Sequence, residues 1–574
     1  MVSDRGWINQ LARSGRATLI ALMAATVVAA DRATAEPFST AAISAIRPEW
    51  SSALEQFRSE IDGVPEARDV FAFDAGLRTD GQTVRAPALD QLNALTGITF
   101  TGIRRSAVPV LLPLDTPAFF RTYIEMPQAL PPAAPHLNGF RAAMFSGGPA
   151  GYDAVFTLDP GSGPPRAFKR PVEVHVTGSA LLYDIHDPLA GRGSTPKALT
   201  EFYPDLRRVI REGFVRYAFT RFGVPYVVSI QCLDSAPRAR RLACREASAI
   251  AEKFLIALRV SGGMPAAANH DSMPFAVQRP AMLSADFTYR PPGEILPNTG
   301  YRNQPGHADL TVYSRIRFPL EEAPAFANSQ SFLHWGDCFQ RGRVPYPRRK
   351  GAPYRCRGSD KPLVFDESAR ENYSYPWQDN FCEARDFGVG QCASGLGHQG
   401  QDIRPATCAL RNEGADRCQP DRYAVLAVRD GVLLRSAQAQ AMTLLVNERG
   451  EHIRFRYMHM NPSHMDADGM LNGRRVSEGE KLGLLSNYQD HPGGTTAHLH
   501  FDVQVFTRDG WLWVNPYVTL IASYEHLLGA RGREVSPDGS GVPDVAAAHA
   551  PHPDGTPAGT ADHTDDHAGP LQHD

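Results

Sequence analysis

The sequence predicts an α+β protein, with a mixed α/β N-terminal region followed by a mainly antiparallel-β domain. Three observations lead there. The 49 Gly and 46 Pro among 574 residues favour turns and short strands over long helices. Before about residue 330, helical stripes are interspersed with strand-like runs. From Tyr423 to about Val518, short β-type runs follow one another with turn residues between them. The length implies two or three domains at ~100–200 residues each. With 43% hydrophobic and 21% charged residues, most of the chain can bury a core. A net charge of −3 argues against a dedicated nucleic-acid binder, which needs a strongly basic surface.

The first segment addresses the protein. Arg5, Arg13 and Arg16 precede an apolar run from Ala17 to Ala30, and Ala33-Thr34-Ala35 follows. A basic start, a short apolar segment and a small-x-small site describe a secretory signal peptide over 1–35. Cleavage is expected after Ala35, with Ala30 as the second choice. The run is shorter than the ~20 residues that span a bilayer. The mature chain is therefore expected to be exported, periplasmic or secreted, and not stably inserted in a membrane.

Residues 36–330 form the mixed region, to which the sequence assigns no role. Trp50, Leu54, Phe57 and Ile61 fall at helical spacing, with Gly63 as a stop. Val172, Val174 and Val176 alternate with Glu173 and His175 as on a half-buried strand, and Tyr226–Ile230 reads as another strand. Ala247, Ile250, Ala251, Phe254, Leu255 and Leu258 line one helix face, which Gly262-Gly263 is expected to end.

From 331 to 530 the composition changes. Six of the eight Cys lie between 338 and 418. An even number of Cys in an exported chain points to disulfides. Closeness in sequence favours Cys232–Cys244, Cys338–Cys356, Cys382–Cys392 and Cys408–Cys418. Between 339 and 357 seven Arg or Lys and no acid form a basic stretch, read either as a solvated loop or as a surface for anionic polymer. Strands are expected at Tyr423–Val428, Val432–Leu434, Thr443–Val446, Ile453–Tyr457, Leu482–Leu485 and His498–Val505. Residues 531–574, rich in His, Asp, Pro and Gly, lack the apolar side chains to fold and are expected to be a disordered tail.

Three segments carry chemistry: Gly397-His398-Gln399-Gly400-Gln401-Asp402, Tyr457-Met458-His459, and His498-Leu499-His500-Phe501. On a strand His498 and His500 project from one face, while Leu499 and Phe501 pack on the other. Paired imidazoles suit zinc. If extended, His398 and Asp402 would stand ~13 Å apart, so the backbone must bend to bring them together, and Gly397 and Gly400 permit a bend. The formal G-x-G-x-x-G at Gly395–Gly400 is not a dinucleotide site, since no apolar strand precedes it and no helix pattern follows. The H-E-x-x-H signature is absent. Two His and one Asp would leave a tetrahedral position open for water, and further His could handle protons and an oxyanion.

These segments resemble the lysostaphin-type (LytM-like) zinc endopeptidases, which cut peptide cross-links in peptidoglycan. His398 and Asp402 match that family's H-x-x-x-D motif. Tyr457-Met458-His459 matches its second motif, and His498-Leu499-His500 its H-x-H. The similarity covers about residues 375–520. It implies one zinc held by His398, Asp402 and His500, with His498 as general base and His459 assisting the transition state. It further implies a zinc metalloendopeptidase in which zinc-activated water attacks a peptidoglycan stem or cross-link; the leader makes it exported, and supposing a Gram-negative cell makes D-Ala–diaminopimelate the preferred cross-link. Where the family usually has Glu after H-L-H-F, this chain has Asp502. Two alternatives stand beside this: a catalytically silent regulator of a partner hydrolase, and a periplasmic zinc-binding protein relying on the His-rich tail. The N-terminal region could also cover the groove from within the same chain.

Overall fold

The computed structural model describes residues 38–535 apart from internal segments, the longest being 126–135, 233–241, 266–276, 328–337, 365–376 and 406–417. The expected leader, the side chains of the basic stretch at 339–357 and the chain from 536 onward lie outside the described residues. The architecture is α+β, with two antiparallel sheets, each backed by its own core.

The first sheet holds six strands: β1 (Phe140–Gly148), β2 (Gly151–Leu158), β3 (Glu173–Ser179), β4 (Arg207–Arg211), β5 (Phe214–Arg221) and β6 (Val224–Gln231). They lie in the order β4-β5-β6-β3-β2-β1, and every pairing is antiparallel. Helices α1 (Trp50–Asp62), α2 (Pro87–Thr96) and α3 (Cys244–Ile256) add to its core. Helix α1 follows its periodicity: Trp50, Ala53, Phe57 and Ile61 are buried, and the chain leaves the helix at Gly63. Helix α3 is shorter than the sequence implied. It stops at Ile256, and Arg259–Gly262 instead pairs with Val110–Leu112, burying Val260 in the core. Strand pairing there outweighs continuation of the helix, and Gly262-Gly263 ends a strand. The expected Cys232–Cys244 disulfide ties the start of α3 to the end of β6.

The second sheet holds β7 (Gln401–Pro405), β8 (Gly431–Leu434), β9 (Met442–Asn447), β10 (His452–Met458), β11 (Arg475–Val476), β12 (Leu499–Thr507) and β13 (Gly510–Val514). The order is β7-β12-β10-β9-β8-β11, with β13 on the β7 side of β12 and Ala325–Ala327 beyond β7. Alternation sorts its side chains. Ile453, Phe455, Tyr457, Leu499, Phe501 and Val503 point into the second core, where helix α4 (Tyr517–Leu528) supplies Val518, Ile521 and Tyr524. The expected strands at Tyr423–Val428 and Leu482–Leu485 appear as a paired, shorter Ala424–Leu426 and a Lys481–Leu484 shifted by one residue.

The cores divide the chain elsewhere than the composition does. Phe38, Phe287, Tyr289, Val312, Ile316, Phe318 and Leu320 all belong to the second core, although they precede 331. Likewise Arg531–Glu534 is not the start of a tail. It pairs in parallel with Leu283–Tyr289, and Val535 is fully buried.

The other face of the second sheet meets the first sheet. Asp153 on β2 accepts from Arg454 (2.6 Å), from His452 Nε2 (2.9 Å) and from Thr177 (2.7 Å). His452 Nδ1 lies 2.9 Å from Ser179 Oγ, and Trp511 donates to Thr177. All of these groups are buried. Among the described residues no helix is long and apolar enough to cross a membrane.

Candidate metal centre

His398, Asp402, His459, His498 and His500 converge at one end of the second sheet, and none is more than 9% exposed. Cross-strand pairing does most of the positioning. Asp402 on β7 lies directly opposite His500 on β12, and His500 lies opposite Met458 on β10, one residue before His459. His498 sits just before β12 and bridges Ser486. His459 turns off β10 with φ of 69°, a left-handed conformation that costs a non-glycine residue energy and often marks functional sites.

The glycines of the first motif act by closeness and not by backbone freedom. Neither Gly397 nor Gly400 has a positive φ. A Cβ on Gly400 would collide with the Phe501 carbonyl and approach His500 Nε2, while one on Gly397 would press on Cys382 and Cys392. The expected Cys382–Cys392 disulfide therefore packs against the segment carrying His398. Cys382 N–H donates to the His398 carbonyl, and His398 N–H to the Glu383 carbonyl, so this loop holds His398 from both sides. The Cys338–Cys356 and Cys408–Cys418 pairings lie outside the described residues, although the strands carrying Cys338 and Cys356 pair in register and Cys418 is disulfide-bonded.

Each imidazole has one nitrogen held from outside. His398 Nδ1 is 2.7 Å from the Asn380 carbonyl, His459 Nδ1 is 3.1 Å from that of Tyr488, and His498 Nδ1 is 2.6 Å from that of Thr496. His500 Nε2 is 3.2 Å from Asp502 Oδ2. Carbonyls and carboxylates only accept, so these nitrogens carry the protons. The opposite nitrogens of His398 and His500 then present lone pairs to one space. His398 Nε2 lies 2.9 Å from His500 Nδ1, and Asp402 Oδ1 lies 3.3 Å and 3.2 Å from them. Tetrahedral zinc with bonds of ~2.0–2.1 Å needs ligand atoms about 3.3 Å apart. Two imidazole lone pairs beside a carboxylate repel unless a cation lies between them. These three residues thus fit a metal in number, type and spacing.

The electrostatics agree. Burial alone would raise Asp402, but His398 and His498 hold its carboxyl well below the usual range. Burial pushes His398, His459 and His498 down, His459 to about 4. Burial also opposes charge on His500, yet hydrogen bonds to Asp402 and Asp502 outweigh it and raise its pKa.

Several partners escaped sequence reasoning. The shorter Asp502 does reach His500, and it also accepts from Arg456 Nε (2.6 Å) and Trp513 Nε1 (2.9 Å). Asn380 orients His398 with its carbonyl and accepts Asp402 N–H with its side chain. Arg385, in the disulfide-closed loop, places its guanidinium 3.9 Å from Asp402 Oδ2. The Asn380 carbonyl and the Thr496 and Tyr488 carbonyls are backbone groups, which residue type does not reveal.

No family model and no curated protein matches the chain. A solved structure described as a glycyl-glycine endopeptidase lytM from Ruminococcus gnavus is similar at 20% identity over 24% of this chain, with a TM-score of 0.17. The match spans half the length of that chain, and a TM-score this low carries no weight on its own.

Proposed function

We propose that this chain is a zinc-dependent endopeptidase acting on the peptide stems or cross-links of peptidoglycan. The observation that carries this is the spacing of His398 Nε2, Asp402 Oδ1 and His500 Nδ1, with the imidazoles of His459 and His498 beside them. The motif resemblance supplies the substrate class. When bound, zinc supplies Lewis-acid polarisation of a carbonyl and makes water a nucleophile at neutral pH.

The protein's own groups handle the proton. His498 Nε2 lies 3.4 Å from Asp402 Oδ1 and faces the centre as a lone pair, because Nδ1 donates to the Thr496 carbonyl. It serves as the general base. His459 stands against it, ring centroids 4.6 Å apart. With its Nδ1 proton committed to Tyr488, His459 can donate to a developing oxyanion only after gaining a second proton. Burial resists that charge and Asp402 favours it, so His459 and His498 form a proton-handling pair. The buried setting strengthens each of these contacts.

Incubation of the purified mature protein with sacculi tests the proposal. Release of muropeptides that stops on chelation, and is missing in His398→Ala, supports it. A metal-loaded protein that leaves sacculi and stem peptides intact ends it in favour of a silent regulator. Export, the domain role of residues 36–330 and its cover over the groove belong to the same proposal. For the last, the His186 carbonyl in the N-terminal half accepts from Gln391 in the disulfide-closed loop.

A further inference from the structure

The sheet face that carries the metal centre continues away from it. Along β12 the residues on that face are His500, Asp502 and Gln504, and along β10 they are Met458, Arg456 and Arg454, paired in that order. Four residues beyond His500, at about 13 Å, the same face runs under the first sheet. Between the two sheets lies a cleft of about 390 Å³, within the size range of small-molecule and short-peptide sites. None of the five centre residues lines it.

The walls of this cleft are polar and hold four arginines, Arg216, Arg435, Arg454 and Arg456, against two acids, Glu173 and Asp490. Arg216 comes from β5, Arg454 and Arg456 from β10, and amides from Gln231, Gln440 and Gln504. The guanidinium of Arg454 stacks 3.9 Å over Trp511, and those of Arg456 and Arg216 lie 5.2 Å and 5.1 Å from the ring of Trp513. Stacking fixes a guanidinium in plane and leaves its edge for an oxyanion. Two of these edges are incomplete. Arg454 Nε and Arg456 Nη2 are buried donors with no hydrogen-bond partner, and Gln440 Oε1 is an acceptor in the same state. A buried unmade hydrogen bond is costly, and these three polar atoms border one cleft where a polar ligand would complete them. The acids that serve these arginines are already shared: Asp153 with His452 and Thr177, and Asp502 with His500 and Trp513.

We infer that the cleft between the two sheets is a second binding site, taking a carboxylate-bearing peptide whose carboxylate is read by Arg454 and Arg456 and whose amides meet the glutamines. An isolated oxyanion would satisfy the arginines but leave most of the cleft and Gln440 unfilled. Arg456 also pairs with Asp502, which holds His500, so occupancy of the cleft bears on the orientation of a metal-centre imidazole. Binding here does not depend on the hydrolase proposal, and it is measured without turnover.

Calorimetry on the full mature chain tests this with three probes: N-acetyl-Ala-Glu-Ala, its Gln counterpart with an amidated C-terminus, and inorganic phosphate. The acidic peptide should bind about tenfold or more tighter than the amidated one, the value of one charge-assisted hydrogen bond. Arg454→Lys, which keeps a charge beside Asp153 but removes Nε, should lose about tenfold in affinity. Gln504→Leu leaves the Arg454–Asp153 pair intact and should weaken both peptides. Equal binding of the two peptides, no saturable binding of either, or unchanged affinity in both folded variants overturns the inference. Phosphate that displaces the acidic peptide at equal concentration overturns the peptide assignment and marks a plain oxyanion site.

Discussion

Asp402 and His500 are direct cross-strand partners, with Asp402 Oδ1 3.2 Å from His500 Nδ1. Two of the three proposed metal ligands are therefore set by the register of one antiparallel ladder, and a slip of one residue would send them to opposite faces. Only His398 needs a separate support, which the Cys382–Cys392 loop and the Asn380 carbonyl provide. After dialysis, elemental analysis should find about one zinc per chain. Asp402→Ala and His500→Ala should lose it, while His459→Ala should keep it. Loss of metal in the His459 variant would show that the ligand set is misassigned.

Asp502 fixes the orientation of His500, and the geometry gives it three partners at once. Removing such a carboxylate behind a metal-bound histidine typically weakens metal affinity by about 10–100-fold. Asp502→Ala should show this in competition with a chromophoric chelator. Affinity equal to that of the parent would mean that Asp502 serves only Arg456 and Trp513.

His498→Ala separates proton handling from metal binding. Zinc content should stay at the parent level, while the rate on a cross-linked peptide falls by about 10²–10⁴, the usual worth of a general base. If the rate holds and His459→Ala removes it instead, the two histidines exchange roles.

The five centre residues were legible because strand alternation sets the spacing of His498 and His500, and because His and Asp are residue types that suit a metal. His498 and His500 two apart, with Leu499 and Phe501 opposite, encode a face. The partners that orient them were less legible, since a backbone carbonyl such as that of Asn380, Thr496 or Tyr488 leaves no mark in composition. The glycines were read only as permitting a bend, whereas the structure packs them closely against Phe501 and the disulfide with no positive φ. Helix α3 was overextended because an apolar stripe looks the same up to the point where a long-range strand partner, Val110–Leu112, takes over. The boundary at 331 followed a change in composition, whereas the core recruits Phe287–Leu320 from across it, and sequence proximity carries no signal of that.

The Asp153 network makes acid stability predictable. Burial alone would raise Asp153, but Arg454 and His452 hold its folded-state pKa well below the normal value. A depressed carboxyl contributes stability that is present above the unfolded pKa of about 3.9 and is lost as pH falls through the folded value. Urea melts should therefore weaken below about pH 5. Asp153→Asn should flatten that acid limb and lower stability at pH 7 by about 3–5 kcal/mol, because it leaves the buried Arg454 without its counter-charge. An acid limb of unchanged slope would place the titration elsewhere.

A fragment beginning at 331 should not fold, although its composition marks it as a domain. It lacks Phe287, Tyr289, Val312, Ile316, Phe318 and Leu320, each buried in the second core, and it also lacks the strand that pairs with Arg531–Glu534. At about 1.5–3 kcal/mol per buried apolar side chain, these six exceed much of the 5–15 kcal/mol that a domain typically holds in reserve. Such a fragment would also expose His452, Arg454 and Trp511, which are buried against Asp153 and Thr177 in the whole chain. A second fragment beginning at 283 restores these six core residues but neither Phe38 and Tyr183 nor that interface. Circular dichroism should show no cooperative melt for the first fragment and a melt lower than that of the full chain for the second. A cooperative transition in the 331 fragment would mean that the second core closes without the residues that the structure places in it.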